Sequence, residues 1–519
     1  MRLGIDFGTT RTVVSGALGG RYPVMCFDVG GVFRDYLPGA AAVTDDGVLV
    51  YGWEARALLA ERPTEAVRSI KRAITGLAPD ELVPGLEGAG VTALELVTGY
   101  LTALKRAIVE QGNLDVHPGE ALEVVVAVPA NASSQQRYLT LEAFTRAGFE
   151  VQALLNEPTA AAIEFAHRNA AGLGPRSPKR YVVVYDLGGG TFDTAAVSLE
   201  GRRFTLLASE GLQRLGGDDF DQVILDLALA KAGVSDLSLS SVERAGLLEL
   251  CREAKETLKP TSRRLLIDPT AVGATAILGK DPIVLDAADI YAESQPLVDH
   301  TLELVDTLFA HLVERGIDPE SSRELGGLYL VGGSTAFPAV ARALRARHGR
   351  KIQLAPEPHA STAVGLAVAG DPAAHVFVRE APTRHLGVWR EAAEGRDKVF
   401  DLILSKDTAA PPEGGAMVVE RSYHPRHSVG HLRFLECAAL DPDQQPAGDV
   451  TPLDRVVFPY DPALAESADL AEREVEANAA LEAEEIREVY TYAADGTVTI
   501  AIENRTHGYR RSFVLGVAR

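Results

Sequence analysis

A short glycine-containing turn occurs twice in the chain, and this repeat constrains the fold more than any other feature. The copies are Asp6-Phe7-Gly8-Thr9-Thr10 and Asp186-Leu187-Gly188-Gly189-Gly190-Thr191. Each copy lies between two β-prone runs, a pattern that predicts a strand, a tight turn and a returning strand. Glycine lets the backbone approach a phosphate closely, and the N–H groups of such a turn bind anions. Two facing turns therefore predict a clamp around one nucleotide.

An aspartate stands at the end of the strand that leads into each turn. Asp6 and Asp186 would repel a bare polyphosphate, so they predict a divalent cation between carboxylate and phosphate, namely magnesium held partly through water. The turns are not Walker loops, because no Gly-Lys-Ser/Thr follows them. Ser334 is not a hydrolase nucleophile, because the G-x-S-x-G spacing is absent around it.

Length and composition indicate a soluble protein of two or three domains. The chain has 519 residues, of which 46% are hydrophobic and 24% charged. Its formal charge of −21 argues against binding to nucleic acid or to an anionic membrane. The three cysteines are far apart and support neither a disulfide framework nor a metal site. Without a signal peptide or an apolar run long enough to span a membrane, we expect a cytoplasmic protein.

Strand and helix patterns alternate through the first 370 residues. Proline in Asn156-Glu157-Pro158 marks the start of one helix, where its missing N–H costs little. An apolar strand then ends at a third glycine turn, Gly332-Gly333-Ser334-Thr335, with a helix behind it, which again suits a nucleotide. We expect strands at 2–7, 122–128, 181–185 and 328–331, and helices at 92–111, 133–147, 217–232, 240–258 and 286–315.

The pattern changes at 371–383, which we interpret as a linker to a β-rich domain at 384–519. Strands are expected at 400–404, 431–435 and 497–502, and Asp495-Gly496 is a hairpin signal. Residues 464–488 carry nine acidic residues, and they form a solvated helix, a flexible insertion or a partner-binding acidic helix. Three closely spaced histidines in this part fit either a polar β-loop or a metal site. They are His424, His427 and His431.

Beyond the turns, several segments occur in an order typical of one family. They are Asn156-Glu157-Pro158-Thr159-Ala160-Ala161-Ala162, Asp186 to Asp193 (DLGGGTFD), Leu215 to Asp221 (LGGDDFD) and Val331 to Thr335 (VGGST). With these segments, the chain resembles the heat-shock protein 70 (DnaK-type) chaperones of the actin-like ATPase superfamily over residues 1–370. The resemblance implies an α/β, ribonuclease H-like domain with two lobes, at 1–178 and 179–370, followed by the small β-rich domain.

The resemblance also implies roles for individual residues. Asp6 and Asp186 would orient magnesium through its waters, and Glu157 would position the attacking water or the metal shell. The catalytic set would be Asp6, Arg56, Glu157, Asp186 and Thr191. ATP or ADP would lie against Gly8, Thr9, Thr10, Arg11, Gly188, Gly189, Gly190, Thr191, Gly217, Lys255, Gly332, Gly333 and Ser334.

Some positions depart from the family pattern. Arg56 is placed where a catalytic lysine is expected, so hydrolysis should be slower, because a guanidinium fork is not a point charge. Arg252 replaces a glutamate and Lys259 a serine. Ala336 stands where an arginine stacks on adenine, which should weaken base binding by roughly 1 kcal/mol.

The implied function is an ATP-binding, weakly ATP-hydrolysing chaperone that couples nucleotide state to polypeptide binding. Its partners would be a client polypeptide and, in addition, a J-domain co-chaperone and a nucleotide-exchange factor. Pro129 and Arg137 match the family residues that relay nucleotide state to the next domain. Alternatively, Pro129 only ends a strand and Arg137 only lies on a helix surface. Alternatives are a nucleotide-sensing scaffold with little turnover, a small-molecule kinase and a filament-forming actin homologue. The C-terminal domain distantly resembles a reduced substrate-binding domain.

Overall fold

A computed structural model describes residues 1–516 except 60, 62, 174–175, 213, 320, 322, 380–381, 393–396, 407, 409–414, 468–469, 472, 474 and 494–495. The described residues form two compact units. The first comprises Met1–Ala130 and Leu141–Phe377, and the second comprises Asn131–Thr140 and Val378–Arg519. The division after Phe377 falls within 371–383, whereas the assignment of 131–140 to the second unit has no counterpart in the sequence pattern.

The first lobe of the first unit is built on a five-stranded sheet. Its central strand Arg2–Phe7 pairs antiparallel with Arg11–Gly16 and parallel with Glu123–Val128. The sheet continues to Glu150–Asn156 on one side and to Leu37–Pro38 on the other. Shorter strands lie at Phe27–Val29, Val32–Arg34, Ala41–Val43, Leu49–Tyr51 and Ala66–Val67. The helices are Gly52–Leu58, Ile70–Ala73, Ala93–Glu110, Glu157–Arg168 and Ser134–Arg146, of which the last begins in the second unit.

The second lobe repeats this arrangement. Tyr181–Leu187 is apolar on both faces, as expected for a central strand. It pairs antiparallel with Phe192–Ser198 and parallel with Leu325–Val331. The remaining strands of this sheet are Ile352–Leu354, Arg203–Leu212 and Phe377–Arg379, and a separate hairpin joins Arg264–Ile267 to Ile283–Asp286. The helices are Gly217–Ala232, Ser241–Glu256, Thr275–Leu278, Ala287–Glu314, Pro338–His348 and Ser361–Ala369.

Small residues allow the last of these helices to pack closely on the first lobe. A Cβ on Gly4 would lie 2.2 Å from the Ala367 nitrogen, and one on Gly365 would lie 1.8 Å from the Ala160 oxygen. Only glycine is compatible with such approaches between backbones. Helix Ser361–Ala369 therefore fixes both the strand that ends at the first turn and the helix that begins at Glu157.

The second unit is a sandwich of two four-stranded antiparallel sheets. One has the order Asp397–Leu404, His385–Ala392, Val429–Leu440, Pro446–Pro459, and the other Met417–Tyr423, Ile486–Tyr492, Val498–Asn504, Tyr509–Val514. Buried side chains of both sheets form one core, which includes Val388, Phe434, Phe458, Tyr490 and Ile500. The expected α/β fold with a β-rich C-terminal part is confirmed.

The acidic segment 464–488 differs from the helical interpretation. Its described residues hold a 3₁₀ turn at Ala479–Ala483 and the start of strand Ile486–Tyr492, and no α-helix. Leu481 and Ile486 are buried, so tertiary packing overrides the helical preference of an alanine- and glutamate-rich sequence. The hairpin signal at Asp495 lies outside the described residues, although the strands on either side of it do pair.

The three closely spaced histidines His424, His427 and His431 are engaged separately. His424 Nδ1 lies 2.8 Å from the Glu484 carbonyl oxygen, and His431 Nδ1 lies 2.8 Å from the Arg455 guanidinium. His427 instead forms an isolated β-bridge with Ala477. The described part of the chain has no helix long and apolar enough to cross a membrane.

Candidate functional site

A cavity of about 320 Å³ lies where the glycine turns of the two lobes meet. Its volume is at the lower end of the range for ligand pockets. All but two of the predicted site residues line this cavity. The lining residues are Asp6, Gly8, Thr9, Thr10, Arg11, Glu157, Asp186, Gly188, Gly189, Thr191, Gly217, Lys255, Gly332, Gly333 and Ser334. The exceptions are Gly190 and Arg56.

The first and second turns are in direct contact. A Cβ on Gly189 would lie 2.3 Å from Thr10 Cγ2, and one on Gly190 would lie 2.6 Å from Thr9 Cγ2. Gly190 is thus part of the junction between the turns although it does not line the cavity. Each turn is closed by a backbone bond, from Gly8 N–H to the Arg11 oxygen (3.1 Å) and from Gly188 N–H to the Thr191 oxygen (2.9 Å).

The start of helix Gly217–Ala232 lies against the second turn. Gly217 N–H donates to the Gly188 oxygen at 3.0 Å. Lys255 Nζ donates to the Gly217 oxygen at 2.6 Å and lies 2.7 Å from the buried carboxylate of Asp221. Burial, opposed by Lys255, raises the pKa of Asp221. These contacts hold a lysine and a helix N-terminus at the same wall of the cavity.

The third glycine turn completes the wall. Gly332 has φ +83, and a Cβ there would lie 2.4 Å from Asp186 Oδ1. Glycine is therefore required both by the backbone conformation and by the space. A Cβ on Gly217 would lie 2.5 Å from Ser334 Oγ, so the third turn also packs against the start of helix Gly217–Ala232.

Four carboxylates surround one ammonium group at the centre of the site. Lys71 Nζ donates to Glu157 Oε1 at 2.6 Å. Asp6 and Asp193 also attract Lys71 electrostatically, and Lys71 in turn attracts the carboxylate of Asp186. Lys71 follows Ser69, which caps its short helix and donates to the Thr9 oxygen at 2.6 Å. The first turn thus positions the lysine.

Burial and mutual repulsion shift the acidities of these groups. Burial, followed by repulsion from Glu157, raises the pKa of Asp6 to about 7 and that of Asp193 to about 8. The pKa of Asp186 rises well above its usual range for the same reasons. Burial lowers the pKa of Lys71, but attraction to Glu157 and Asp6 outweighs this and raises it overall. Four ionised carboxylates would carry more negative charge than the one lysine neutralises, which is why burial and mutual repulsion raise these pKa values.

Excess negative charge is the feature that fits a cation. The described residues contain no cluster of three or more side chains arranged as direct ligands. Asp6 and Asp186 would therefore hold magnesium through water, with phosphate oxygens completing its shell, which is the way Mg²⁺ is usually bound.

The structure corrects the role predicted for Arg56. Its guanidinium donates to the Tyr36 hydroxyl at 3.1 Å, lies over the Trp53 ring and faces Glu249 at 3.6 Å. It does not line the cavity. Because the basic residue among the carboxylates is Lys71, the expectation of slower hydrolysis from an arginine in that position loses its basis.

Sequence reasoning missed three residues. Lys71 carried a signal in Ser69-Ile70-Lys71-Arg72, a serine cap followed by two basic residues. Asp193 lies inside the quoted DLGGGTFD segment, but its position in a returning strand gave no sign of burial beside a lysine. His359 lines the cavity and lies 2.7 Å from Asp35, and no local motif predicted this pairing.

Two of the positions that depart from the family pattern also line the cavity. Arg252 and Ala336 line it together with Glu256, Leu258 and Phe337. Lys259 is exposed and is not part of the lining. An apolar wall with a guanidinium and a carboxylate suits the base or sugar of a nucleotide better than its phosphates.

A family model and several curated proteins are similar to this chain. The family model described as "Hsp70 protein" matches residues 90–377. A chaperone protein HscA homolog of Chromobacterium violaceum is 34% identical over 388 residues, which cover 71% of this chain and 58% of that protein. The HscA homolog of Laribacter hongkongensis is 34% identical over 364 residues, which cover 66% of this chain and 54% of that protein. The HscA homolog of Bordetella petrii is 33% identical over 379 residues, which cover 71% of this chain and 57% of that protein. The chain spans less than two thirds of the length of these relatives.

Proposed function

The chain belongs to the Hsp70 family within the actin-like ATPase superfamily, and from this premise we propose that it binds and hydrolyses ATP and couples nucleotide state to polypeptide binding. The observation that carries the proposal is the contact between the two glycine turns at one cavity, beside a buried lysine and four carboxylates. Every predicted site residue lines this cavity except Gly190, which packs against Thr9 of the first turn, and Arg56, which lies elsewhere.

Each wall of the cavity has a task in phosphoryl transfer. The N–H groups of the first and second turns bind phosphate oxygens from opposite sides, and Thr191 and Lys255 add donors. Lys71 holds one oxygen of Glu157, which orients that carboxylate toward an attacking water. Magnesium, when bound near Asp6 and Asp186, supplies charge neutralisation. Positioning and charge neutralisation account for most of the catalysis in this reaction class.

The second part of the proposal is that nucleotide state is coupled to polypeptide binding. ATP and ADP favour different closures of the two lobes, and this difference biases the β-rich unit, which acts as a reduced substrate-binding domain. Pro129 and Arg137 are the proposed relay. Pro129 follows the strand Glu123–Val128, and Arg137 is buried within the second unit, beside Gly496. A J-domain protein and an exchange factor are the proposed co-chaperones, in the cytoplasm.

Isothermal titration with Mg-ATP and Mg-ADP tests the foundation of the proposal. We expect saturable binding of both, and magnesium-independent or absent binding would overturn it. The double substitution Asp6→Asn with Asp186→Asn should abolish hydrolysis. A peptide array probed in ATP and then in ADP tests the coupling, and identical binding in the two states would contradict it.

A nucleotide-sensing scaffold is the second candidate, because Arg252 and Ala336 alter the base wall while the phosphate turns are intact. Single-turnover hydrolysis separates the two functions: a scaffold retains binding and shows almost no chemical step. Phosphate transfer to a panel of sugars tests the kinase alternative, and ATP-dependent light scattering tests filament formation.

A further inference from the structure

Arg252 is a largely buried cation that forms two long ion pairs and no hydrogen bond with the described residues. Its side chain is only 9% exposed. The nearest carboxylate oxygens belong to Glu256 at 3.6 Å and Glu249 at 3.9 Å, beyond hydrogen-bond distance. Among the described residues its guanidinium makes no hydrogen bond. Because Arg252 lines the cavity, its hydrogen-bond donors are placed to meet an acceptor supplied by a ligand.

The two nearby glutamates are engaged by other arginines. Arg68 lies 2.9 Å from Glu249, and Arg11 donates to Glu256 Oε1 at 2.6 Å. Both contacts are shorter than those to Arg252, so the guanidinium fork of Arg252 retains its donors. The second oxygen of Glu256, Oε2, accepts no hydrogen bond from the described residues. A donor fork and a carboxylate oxygen therefore stand next to each other on one wall of the cavity.

The surroundings of Arg252 favour a neutral, flat acceptor. Leu258 and Phe337 line the same cavity and are both largely buried. A further phosphate on the sugar would bring two more charges into this small, partly apolar space, and desolvating them is expensive. The edge of a purine base carries acceptors without charge.

We infer that Arg252 reads the base and that the site accepts 6-oxopurine nucleotides, guanine or hypoxanthine, at least as well as adenine nucleotides. This inference rests on the proposed nucleotide binding. A 6-oxopurine presents O6 and N7 side by side, the edge that a guanidinium binds with two hydrogen bonds. Its N1–H group is a donor for Glu256. Adenine replaces O6 with an amino group, which would face Arg252 donor to donor.

Affinity measurements with matched nucleotides test the inference. GTP and ITP should bind the wild-type protein at least as tightly as ATP in the presence of magnesium. 7-Deaza-GTP lacks the N7 acceptor and should bind about tenfold more weakly than GTP. This comparison needs no variant and stands even if a substitution at position 252 prevents folding.

Substitutions of Arg252 separate the effect of its positive charge from that of its forked guanidinium geometry. Arg252→Gln should shift the ratio of GTP to ATP affinity about tenfold toward ATP, and Arg252→Lys should shift it nearly as far, because an ammonium lacks the fork. Arg244→Gln is the control, since Arg244 lies on the same helix and pairs with exposed Asp236. Its affinity ratio should equal that of the wild type.

The outcomes are distinct. ATP binding tenfold tighter than GTP, or an unchanged ratio in Arg252→Gln, overturns the base assignment and leaves the proposed function intact. Tighter binding of a 2′-phosphorylated ATP than of both ATP and GTP assigns Arg252 to the sugar and also overturns it. Failure of every nucleotide to bind removes the proposed function itself.

Discussion

At the scale of single residues, Lys71 organises the chemistry of the site. It is buried, it donates to Glu157 at 2.6 Å, and it is attracted by Asp6 and Asp193. In the proposed reaction, a fixed cation among carboxylates would orient Glu157 and offset charge that develops during phosphoryl transfer. Arg56, in contrast, is bound to Tyr36 and Trp53 outside the cavity lining.

The contrast between these two basic residues gives a direct prediction. Lys71→Met should reduce the single-turnover rate of ATP hydrolysis about 100-fold or more, with a smaller effect on nucleotide affinity. Arg56→Gln should leave that rate near the wild-type value, because Arg56 does not reach the cavity. Rapid-quench measurement of both variants checks this, and an equal loss in Arg56→Gln would contradict it.

The raised acidity of Asp193 predicts how pH affects the ligand-free protein. Its pKa is about 8 in the folded protein and near 3.8 when unfolded. The folded state therefore binds this proton more tightly, and stability falls as pH rises from about 4 to about 8. Asp193→Asn removes this penalty and should raise the unfolding temperature by roughly 5 °C at pH 8.5, and hardly at all at pH 5.

Thermal unfolding in EDTA, followed at both pH values, measures this effect. An Asp193→Asn variant that is less stable than the wild type at pH 8.5 would show that the carboxylate is well compensated in the folded state. We also expect the variant to hydrolyse ATP more slowly, since stability and activity oppose each other at strained sites.

At the scale of secondary-structure elements, a buried ion pair joins the two sheets of the second unit. Glu488 is fully buried and accepts hydrogen bonds from Arg390, Tyr423 and Tyr490, each at 2.6 Å. Arg390 lies in one sheet and Glu488 in the other. The network therefore specifies how the sheets face each other, in addition to the apolar core around it.

Removing Glu488 takes away the acceptor that three donors share, although Arg390 keeps Asp401 and Tyr423 keeps Tyr460. Glu488→Ala should lower the free energy of unfolding of the second unit by about 3–5 kcal/mol. The control Glu420→Ala breaks the exposed pair with Arg487 and should cost less than about 1 kcal/mol.

Tryptophan fluorescence reports on this unit alone if Trp53 is replaced by phenylalanine. Trp389, in strand His385–Ala392, then remains as the only tryptophan of the chain. Urea titration of this background with each glutamate variant gives the two free energies. Equal destabilisation by the two substitutions would rule out a special role for the buried pair.

At the scale of the whole molecule, the two lobes of the first unit are tied by arginine–carboxylate pairs around the cavity. Arg11 lies 2.6 Å from Glu256, Arg68 lies 2.9 Å from Glu249, and Arg72 contacts the helix that follows the second turn. In each pair the arginine belongs to the first lobe and the carboxylate to the second. Lobe opening must break these pairs, so they oppose nucleotide release.

Loss of one pair should speed release. Arg68→Gln should increase the dissociation rate of ADP about fivefold, since a partly buried pair contributes on the order of 1 kcal/mol. Added salt should raise the wild-type rate in the same direction. Stopped-flow chase of a fluorescent ADP measures both effects. The control Arg146→Gln removes an exposed pair within one helix and should not change the rate; an equal acceleration there would refute the explanation.

Local sequence determined much of this protein. The apolar strand Tyr181–Leu187, the glycine turns and the proline that begins helix Glu157–Arg168 follow from rules that act over a few residues, so the fold and most of the residues that line the cavity could be predicted. Tertiary structure alone decided which basic residue joins the carboxylates, the burial of Asp193 and the absence of a hydrogen bond to the Arg252 guanidinium from the described residues. It also decided that 464–488 forms no α-helix among its described residues. These outcomes depend on burial and on charges brought together from distant positions, and the free energies of such contacts are set by neighbours that the local sequence does not reveal.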